Sequence, residues 1–221
     1  MAEEAHDVTG REIEIATEMG STFGELAVPE GSAGVVLFAH GSGSGRHSPR
    51  NNFVAGILRE AGLATFLMDL LTEEEERVDM RTREFRFDID LLGERLRLAT
   101  DRLAEDEEAG GLKIGYFGSS TGAAAAIVGA AGRDDIHAIV SRGGRPDLAR
   151  EALEQFAAPI LLIVGANDRQ VLQMNRDAME RMGAPAELKI VEGAGHLFEE
   201  PGTLEQVGDL AAAWFNKHFD V

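Results

Sequence analysis

The chain of 221 residues contains no cysteine, which excludes a disulfide framework and any metal site that depends on thiolates. A covalent nucleophile in this protein must therefore carry oxygen or nitrogen. The absence of cysteine also fits a cytoplasmic protein, because disulfides are rare in that compartment.

Basic residues are scarce. Lys and Arg number 21 against 39 Asp and Glu, which gives a formal net charge of -18 at pH 7. Nucleic-acid binding takes much of its affinity from basic side chains that neutralise phosphates, and anionic membrane surfaces attract the same groups. The composition therefore predicts neither a nucleic-acid partner nor a membrane partner. We interpret the acidic segments 73–76 and 105–108 as solvated patches.

Long apolar runs are also missing. No stretch of about 18 apolar residues predicts a membrane helix, and Glu3, Glu4 and Asp7 stand where a signal peptide has basic and apolar residues. We therefore expect a soluble, unexported protein. The content of 44% hydrophobic and 27% charged residues is typical of a single globular domain over residues 1–221, with residues 1–10 as a flexible tail.

Motifs for metals and cofactors are lacking too. The six histidines form neither an H-x-H pair nor an H-E-x-x-H helix, so the sequence predicts no metal site. A dinucleotide loop counted from Gly41 requires glycine at position 46, where the chain has Arg46. We expect no cofactor.

The chain does contain a regular alternation of strand and helix patterns. Segments 12–16 and 22–28 predict an antiparallel strand pair, and from Val35 onward buried strands alternate with amphipathic helices. The predicted strands are 35–39, 63–68, 112–117, 137–141, 160–164 and 187–191, and the predicted helices are 52–61, 85–104, 123–131, 171–182 and 204–218. This order predicts an α/β fold with a mostly parallel sheet, an antiparallel N-terminal edge and helices on both faces. We interpret segments 40–51, 69–84 and 142–157 as short loops around a site.

One motif in this frame indicates a nucleophile. Residues 118–122 read Gly-Ser-Ser-Thr-Gly, a G-x-S-x-G motif centred on Ser120 between a predicted strand and a predicted helix. The glycines leave room for a sharp turn that exposes the serine hydroxyl.

Two further side chains follow predicted strands at the same sheet edge. Asp168 comes just after the strand ending at position 164, and His196 comes after the strand ending at position 191. Because a serine hydroxyl needs a base to take its proton, His196 is the candidate base and Asp168 the group that orients it. Each residue also has a structural interpretation, Asp168 as a helix N-cap and His196 as a loop histidine with a local hydrogen bond.

These residues resemble the α/β-hydrolase superfamily, and within it the compact dienelactone hydrolases, which have no large cap domain. The resemblance extends from about residue 13 to 219 and rests on HGSGSG at 40–45, GSSTG at 118–122, VGAND at 164–168 and GAGHLFEEPG at 193–202. Dienelactone hydrolases use cysteine as the nucleophile, whereas position 120 is serine. This difference favours an esterase role.

The resemblance implies an oxyanion hole made of backbone amides. Its donors are the amide of Thr121 and an amide of the loop after His40, from Ser42 or Gly43. We interpret His40 as a structural residue rather than a second base, and Asp69 as structural rather than as an alternative triad acid.

Three arginines near the same edge are candidates for contacts with a substrate carboxylate. They are Arg46, Arg142 and Arg145. The alternative is that they pair with the abundant acidic residues of the chain.

Taken together, the sequence predicts a serine hydrolase that cleaves a small ester through an acyl-enzyme. Two alternatives stay open: a binding module of the same fold that does not use the triad, and a hydrolase whose activity has been altered by design. The sequence gives no indication of the acyl group or of the oligomeric state.

Overall fold

The computed structural model of the protein describes residues 10–220 and builds them around one eight-stranded sheet. The expected flexible tail at residues 1–10 lies, but for Gly10, outside the described residues. The strands are β1 (Arg11–Thr17), β2 (Gly20–Ala27), β3 (Gly34–Ala39), β4 (Ala64–Met68), β5 (Lys113–Ser119), β6 (Ile136–Arg142), β7 (Ile160–Gly165) and β8 (Ala186–Val191). The helices are α1 (Pro49–Glu60), α2 (Glu73–Thr82), α3 (Ile89–Ala104), α4 (Thr121–Ala130), α5 (Arg169–Met179) and α6 (Thr203–Phe219), with a 3₁₀ segment at Pro146–Glu154.

The sheet is parallel from β4 to β8 and antiparallel at its N-terminal edge. Its strand order is β1-β2-β4-β3-β5-β6-β7-β8, and β2 pairs antiparallel with both β1 and β4. This is the fold that the alternation of strands and helices predicted. A parallel strand pair needs a crossover connection, which is usually a helix, whereas an antiparallel hairpin needs only a short turn.

Two apolar cores lie on the two faces of the sheet. One contains side chains of α3 and α4, such as Leu96 and Ile127, and the other contains side chains of α1 and α6, such as Leu58 and Phe215. The central strand β3 is buried along its whole length and faces both cores through alternate residues. The carboxyl ends of β3, β5, β6 and β7 therefore stand on a rigid support.

The interpretation of segment 69–84 as a loop is wrong, because α2 occupies most of it. Thr72 Oγ1 accepts a hydrogen bond from the amide of Glu75, whose carboxylate accepts one from the amide of Thr72, so the helix begins with a capping box. The acidic first turn complements the positive end of the helix dipole. The run at 73–76 is thus the start of a helix, and Glu75 within it is buried rather than solvated.

The interpretation of two other segments also needs correction. Segment 142–157 includes the 3₁₀ segment at Pro146–Glu154, and helix α1 starts within segment 40–51 at Pro49, one residue after its N-cap Ser48. Proline at the first position of a helix has no amide to leave unpaired and already has a helical φ. A periodic pattern cannot mark such a start, because the first turn contributes few apolar side chains.

A buried ion pair joins α2 to α3, and we expect its removal to be costly. Glu75 Oε1 accepts a hydrogen bond from Arg95 Nη2 at 2.6 Å, with both side chains less than 5% exposed. Glu75→Ala leaves the buried guanidinium without its acid and also removes the carboxylate that accepts the amide of Thr72, so the free energy of unfolding should fall by about 3–5 kcal/mol, mostly from the broken pair. The neighbouring exposed pair of Glu74 and Arg77 supplies the control. Glu74→Ala should lower the free energy of unfolding by less than about 1 kcal/mol. Urea denaturation of both variants measures the difference, and equal losses would contradict a buried pair as the cause.

Candidate active site

Ser120 lies at a strained turn between β5 and α4. Its backbone has φ 52° and ψ -119°, a region that residues other than glycine rarely adopt. The surrounding backbone holds it there, because the amide of Ser120 donates to the carbonyl of Arg142 at 3.2 Å and its carbonyl accepts from the amide of Arg145 at 3.0 Å. A strained serine fixed in this way presents its hydroxyl at the carboxyl edge of the sheet.

The two glycines of the motif are required by close approach of the backbone. A Cβ at Gly118 would lie 2.4 Å from the Cα of Ala123, and one at Gly122 would lie 2.1 Å from the carbonyl oxygen of Ala39. Neither position has room for any side chain. The two glycines are therefore what allows the start of α4 to pack closely against β3 and β5.

Asp168 and His196 are brought together by the loops after β7 and β8. His196 Nδ1 lies 2.6 Å from Asp168 Oδ2, while Asp168 Oδ1 accepts a hydrogen bond from the amide of Val171 at 3.4 Å. The N-cap role and the orienting role are therefore compatible, because each uses a different carboxylate oxygen. With Nδ1 donating to the carboxylate, Nε2 of His196 is left to accept a proton.

The loop that carries His196 is itself held by several polar contacts. The amide of Gly195 donates to the carboxylate of Glu200 at 3.1 Å, and Asn167 donates from its side chain to the carbonyl of Gly193 at 2.8 Å. These contacts fix the position of the imidazole relative to Asp168.

Ser120 and His196 both line one cavity of about 200 Å³, which we call the nucleophile cavity. No hydrogen bond joins the two side chains in the structure of residues 10–220, and such bonds commonly shorten only when substrate binds. The remaining residues that line it are Gly41, Ser42, Ser44, Ser48, Arg50, Asn51, Ser119, Arg142 and Leu197.

The loop after β3 lies directly against the nucleophile. A Cβ at Gly41 would lie 3.3 Å from Ser120 Cβ, and the amide of Ser44 donates to the carbonyl of Gly41 at 3.2 Å to close a tight turn with Gly43 at φ 71°. Within the described residues, the amides of Ser42, Gly43 and Thr121 have no protein acceptor. Thr121 is the first residue of α4, where the helix dipole adds positive potential. These amides have the chemistry of an oxyanion hole.

His40 anchors that loop. Its Nε2 accepts a hydrogen bond from the amide of Leu70 at 3.0 Å, and its Nδ1 lies 3.0 Å from the carbonyl of Gly41. Burial lowers the pKa of His40 and so favours the neutral imidazole, whose Nε2 can accept this hydrogen bond. Both ring nitrogens are engaged by backbone groups, which leaves none for a second catalytic base.

A second cavity, of about 260 Å³, also borders the loop after β3. The walls include the apolar side chains of Leu70, Leu71, Met80 and Leu92 as well as the ion pair of Asp79 with Arg86. Gly41, Ser42 and Ser44 line both cavities, so open space adjoins this loop in two places.

Two of the three candidate arginines are paired outside the cavities. Arg46 contacts Glu12 at 2.9 Å and Asp69 at 3.3 Å, and Arg145 binds Asp147 with two hydrogen bonds of 2.8 Å. Asp69 Oδ1 also accepts a hydrogen bond from the amide of Arg46 at 2.8 Å, and within the described residues the acid bonded to His196 is Asp168. Neither arginine lines the nucleophile cavity. The third candidate, Arg142, does line it.

Asn51 also lines the nucleophile cavity, although the sequence did not predict it as a site residue. Asn51 Oδ1 accepts a hydrogen bond from Ser119 Oγ at 3.0 Å and lies 3.4 Å from Arg142 Nη2, and the side chain is buried. It thereby links α1 to the ends of β5 and β6. The asparagine lies within the first turn of α1, where no motif distinguishes it from an ordinary helix residue.

A strained serine after the fifth strand, a histidine and an acid after the last two strands, and free amides beside them define the α/β-hydrolase fold with the site at its carboxyl edge. The chain matches the family described as the dienelactone hydrolase family over residues 24–217. It belongs to that family.

Solved structures agree with the fold. A dienelactone hydrolase from Anabaena variabilis ATCC 29413 is 52% identical with a TM-score of 0.92, covering 95% of this chain and 98% of that one. An esterase from Pyrococcus furiosus is 18% identical with a TM-score of 0.77, covering 96% and 94%. At that identity the second likeness concerns the fold alone.

A curated relative from Mycobacterium tuberculosis strain H37Rv is 51% identical over 208 residues. Its name assigns it provisionally to the phosphoribosyl transferases. The match covers 94% of this chain and 46% of the relative, so the chain spans about half the length of that protein.

Two features are absent from the part of the chain that the structure describes. Among residues 10–220, no helix is long and apolar enough to cross a membrane. Within the same range, no group of three or more His, Asp or Glu side chains is arranged to hold a metal ion.

Proposed function

We propose that the protein is a serine hydrolase that cleaves small esters through an acyl-enzyme on Ser120. The observation that carries this proposal is the contact of 2.6 Å between His196 Nδ1 and Asp168 Oδ2, made beside a cavity that also contains the strained Ser120. A carboxylate in this position holds the imidazole in the tautomer that accepts a proton at Nε2.

The reaction proceeds in two halves. Ser120 Oγ attacks the ester carbonyl while His196 Nε2 takes the hydroxyl proton, and the tetrahedral intermediate collapses as His196 returns that proton to the leaving alkoxide. A water molecule then attacks the acyl-enzyme with His196 again as base, which releases the acid and restores the serine. Asp168 stabilises the imidazolium in both halves but keeps its charge.

The negative charge on the carbonyl oxygen develops beside the loop after β3. The amide of Thr121 and an amide of Ser42 or Gly43 are the proposed donors, and they lie in a helix N-terminus and a tight turn that need little rearrangement. Fixed donors of this kind supply a large part of the rate enhancement in acyl transfer.

The family supports ester chemistry, since the Anabaena variabilis relative is named a dienelactone hydrolase and a lactone is a cyclic ester. The name of the Mycobacterium tuberculosis relative applies to a protein about twice as long, and the part shared with this chain includes most of the match to the hydrolase family. Hydrolysis, rather than phosphoribosyl transfer, is therefore the activity that we propose for this chain. A cytoplasmic location stays a prediction from the sequence.

A fluorophosphonate probe tests the proposal directly. Incubation with the intact protein should add one probe mass less HF, because the serine oxygen displaces fluoride from phosphorus, and peptide mapping should place the adduct on Ser120, since only an activated serine reacts quickly with such reagents. Heat-denatured protein serves as the control for nonspecific labelling. Lack of an adduct, together with no hydrolysis of any p-nitrophenyl ester in the series from the acetate to the hexanoate, would instead support the binding module.

A further inference from the structure

Arg142 is a buried cation without an acidic partner. It ends strand β6 next to the nucleophile, is 8% exposed, and forms no ion pair within the described residues. Its Nε and Nη1 have no hydrogen-bond partner, and its Nη2 has only the long contact of 3.4 Å with Asn51 Oδ1. Most of the donor capacity of this guanidinium is therefore unused.

Such an arrangement is costly for the folded protein. Burial, and to a smaller extent the charge of Arg50, lower the pKa of Arg142 to about 10, and the side chain is still charged near neutral pH. A buried charge without a partner destabilises a fold strongly. The chain has 39 acidic residues, and it supplies carboxylates to Arg46, Arg86, Arg95, Arg133 and Arg145. A missing partner at Arg142 therefore needs an explanation at the site.

The nucleophile cavity is basic although the chain is acidic. Its charged or titratable lining residues are Arg50, Arg142 and His196, and none of the Asp and Glu residues lines it. Arg50 contacts the exposed Glu199 at 3.2 Å at its outer end, and its charge repels that of Arg142. An anion placed beside the two guanidinium groups would relieve that repulsion and supply the counter-charge that Arg142 lacks.

We propose that Arg142, assisted by Arg50, binds an anionic group of the substrate, a carboxylate or a phosphate, next to the ester bond attacked by Ser120. This inference rests on the serine hydrolase function proposed above and names its substrate class. The backbone carbonyl of Arg142 accepts a hydrogen bond from the amide of Ser120 at 3.2 Å, so the Arg142 side chain starts from a backbone position directly beside the nucleophile. The rest of the substrate extends past Ser42 into the second cavity, whose Leu70, Leu71 and Leu92 side chains suit a short apolar group.

Matched esters measure the preference. The mono-p-nitrophenyl ester of glutaric acid carries a carboxylate, its methyl ester is the neutral counterpart, and the p-nitrophenyl ester of 3-phosphonopropionic acid carries a phosphonate. We expect kcat/KM of the wild-type protein to be at least about tenfold higher for one of the anionic esters than for the neutral one, as a charge-assisted hydrogen bond provides. The anionic ester with the larger kcat/KM identifies the group. A ratio of one or less for both anionic esters would overturn the anion site.

Arg142→Met separates this role from a structural one. The anionic-to-neutral ratio should fall by about tenfold to a hundredfold, since one or two charge-assisted hydrogen bonds are lost. The thermal midpoint should rise, because an apolar chain of similar length replaces a buried, unpaired charge. Arg142→Lys should keep part of the preference. A variant with a lower thermal midpoint and an unchanged ratio would show that the arginine acts only in packing.

Arg50→Gln and Arg145→Gln complete the set. Arg50 is partly exposed, so its replacement should leave folding intact and still lower the ratio by about threefold, as loss of a screened charge does. Arg145→Gln removes the same charge from the same sheet edge, but its guanidinium is bound by Asp147, so its ratio should match the wild type. A ratio that falls equally in Arg145→Gln would point to the overall field and contradict a specific site.

Binding without turnover distinguishes the two proposals. Calorimetric titration of Ser120→Ala with glutarate and with phosphonopropionate should show binding that disappears in Ser120→Ala/Arg142→Met. Binding of this kind in a protein that hydrolyses none of the esters would refute the hydrolase and retain the anion site. Ester hydrolysis without an anion preference and without this binding would refute the anion site and retain the hydrolase.

Discussion

Replacing Ser120 by Ala should lower kcat for a p-nitrophenyl ester by about 10⁶, since it removes the proposed nucleophile. Ser42, Ser44, Ser48 and Ser119 also line that cavity, but Ser120 is the serine at the strained turn beside free amides. Steady-state turnover, with protein purified separately from any wild-type stock, measures the loss. The folded structure should be unaffected, because the Ser120 side chain makes no hydrogen bond in the structure of residues 10–220.

The same experiment shows whether Ser120 and His196 act as one unit. His196→Ala should cost about as much as Ser120→Ala, and the double variant should cost hardly more, because loss of either residue removes the whole nucleophilic route. Ser141→Ala is the matched control: its hydroxyl is buried near the site in β6, has no partner and lines neither cavity. Losses that add between Ser120 and His196 would contradict a shared step.

The parts of the fold that the sequence predicted are those in which local pattern and tertiary burial agree. Strands β3 and β7 are apolar along their length because both faces are covered, and their boundaries are close to the predicted ones. The G-x-S-x-G motif was informative for the same reason, since a side chain at Gly118 would collide with Ala123 of α4 and one at Gly122 would collide with Ala39 of β3.

Helix α2 was missed because its stabilising contacts are not periodic apolar ones. Few of its residues are buried, and those few are the acids Glu75 and Asp79, which bind Arg95 and Arg86 on later segments of the chain. The capping box at Thr72 was present in the sequence and was the available signal. An acidic run after a threonine therefore indicates a helix start as readily as a solvated patch.

Whether an arginine is paired with an acid or buried without one cannot be predicted from its position after a strand. Arg142 and Arg145 are three residues apart in one segment, yet one ends a buried strand and the other turns toward Asp147. Which carboxylate reaches which guanidinium depends on loop geometry that spacing does not determine. All three arginines were therefore equal candidates for a substrate contact in the sequence. The structure distinguishes Arg142, which is buried and lines the nucleophile cavity, from the two that are paired with acids.

Asp168→Asn should reduce kcat by about 10⁴ while the protein stays as stable as the wild type. Asparagine is as good an N-cap as aspartate, so the contact with the amide of Val171 is retained and α5 keeps its start. The side-chain amide, however, either donates to His196 Nδ1 or accepts without a full charge. Donation places the ring proton on Nε2, where the base must be free, and a neutral acceptor stabilises the imidazolium poorly.

Asp168→Ala provides the comparison that separates the two roles of this side chain. Alanine removes the cap as well, so the free energy of unfolding should fall by about 1 kcal/mol, a loss that Asp168→Asn should not show. Turnover should fall by a similar factor in both variants, because the carboxylate contact of 2.6 Å is lost in each. An Asp168→Asn variant that retains a tenth of the wild-type kcat would mean that another acid orients His196. Asp69 is the residue to replace next in that case, although its carboxylate is bound by the amide and guanidinium of Arg46.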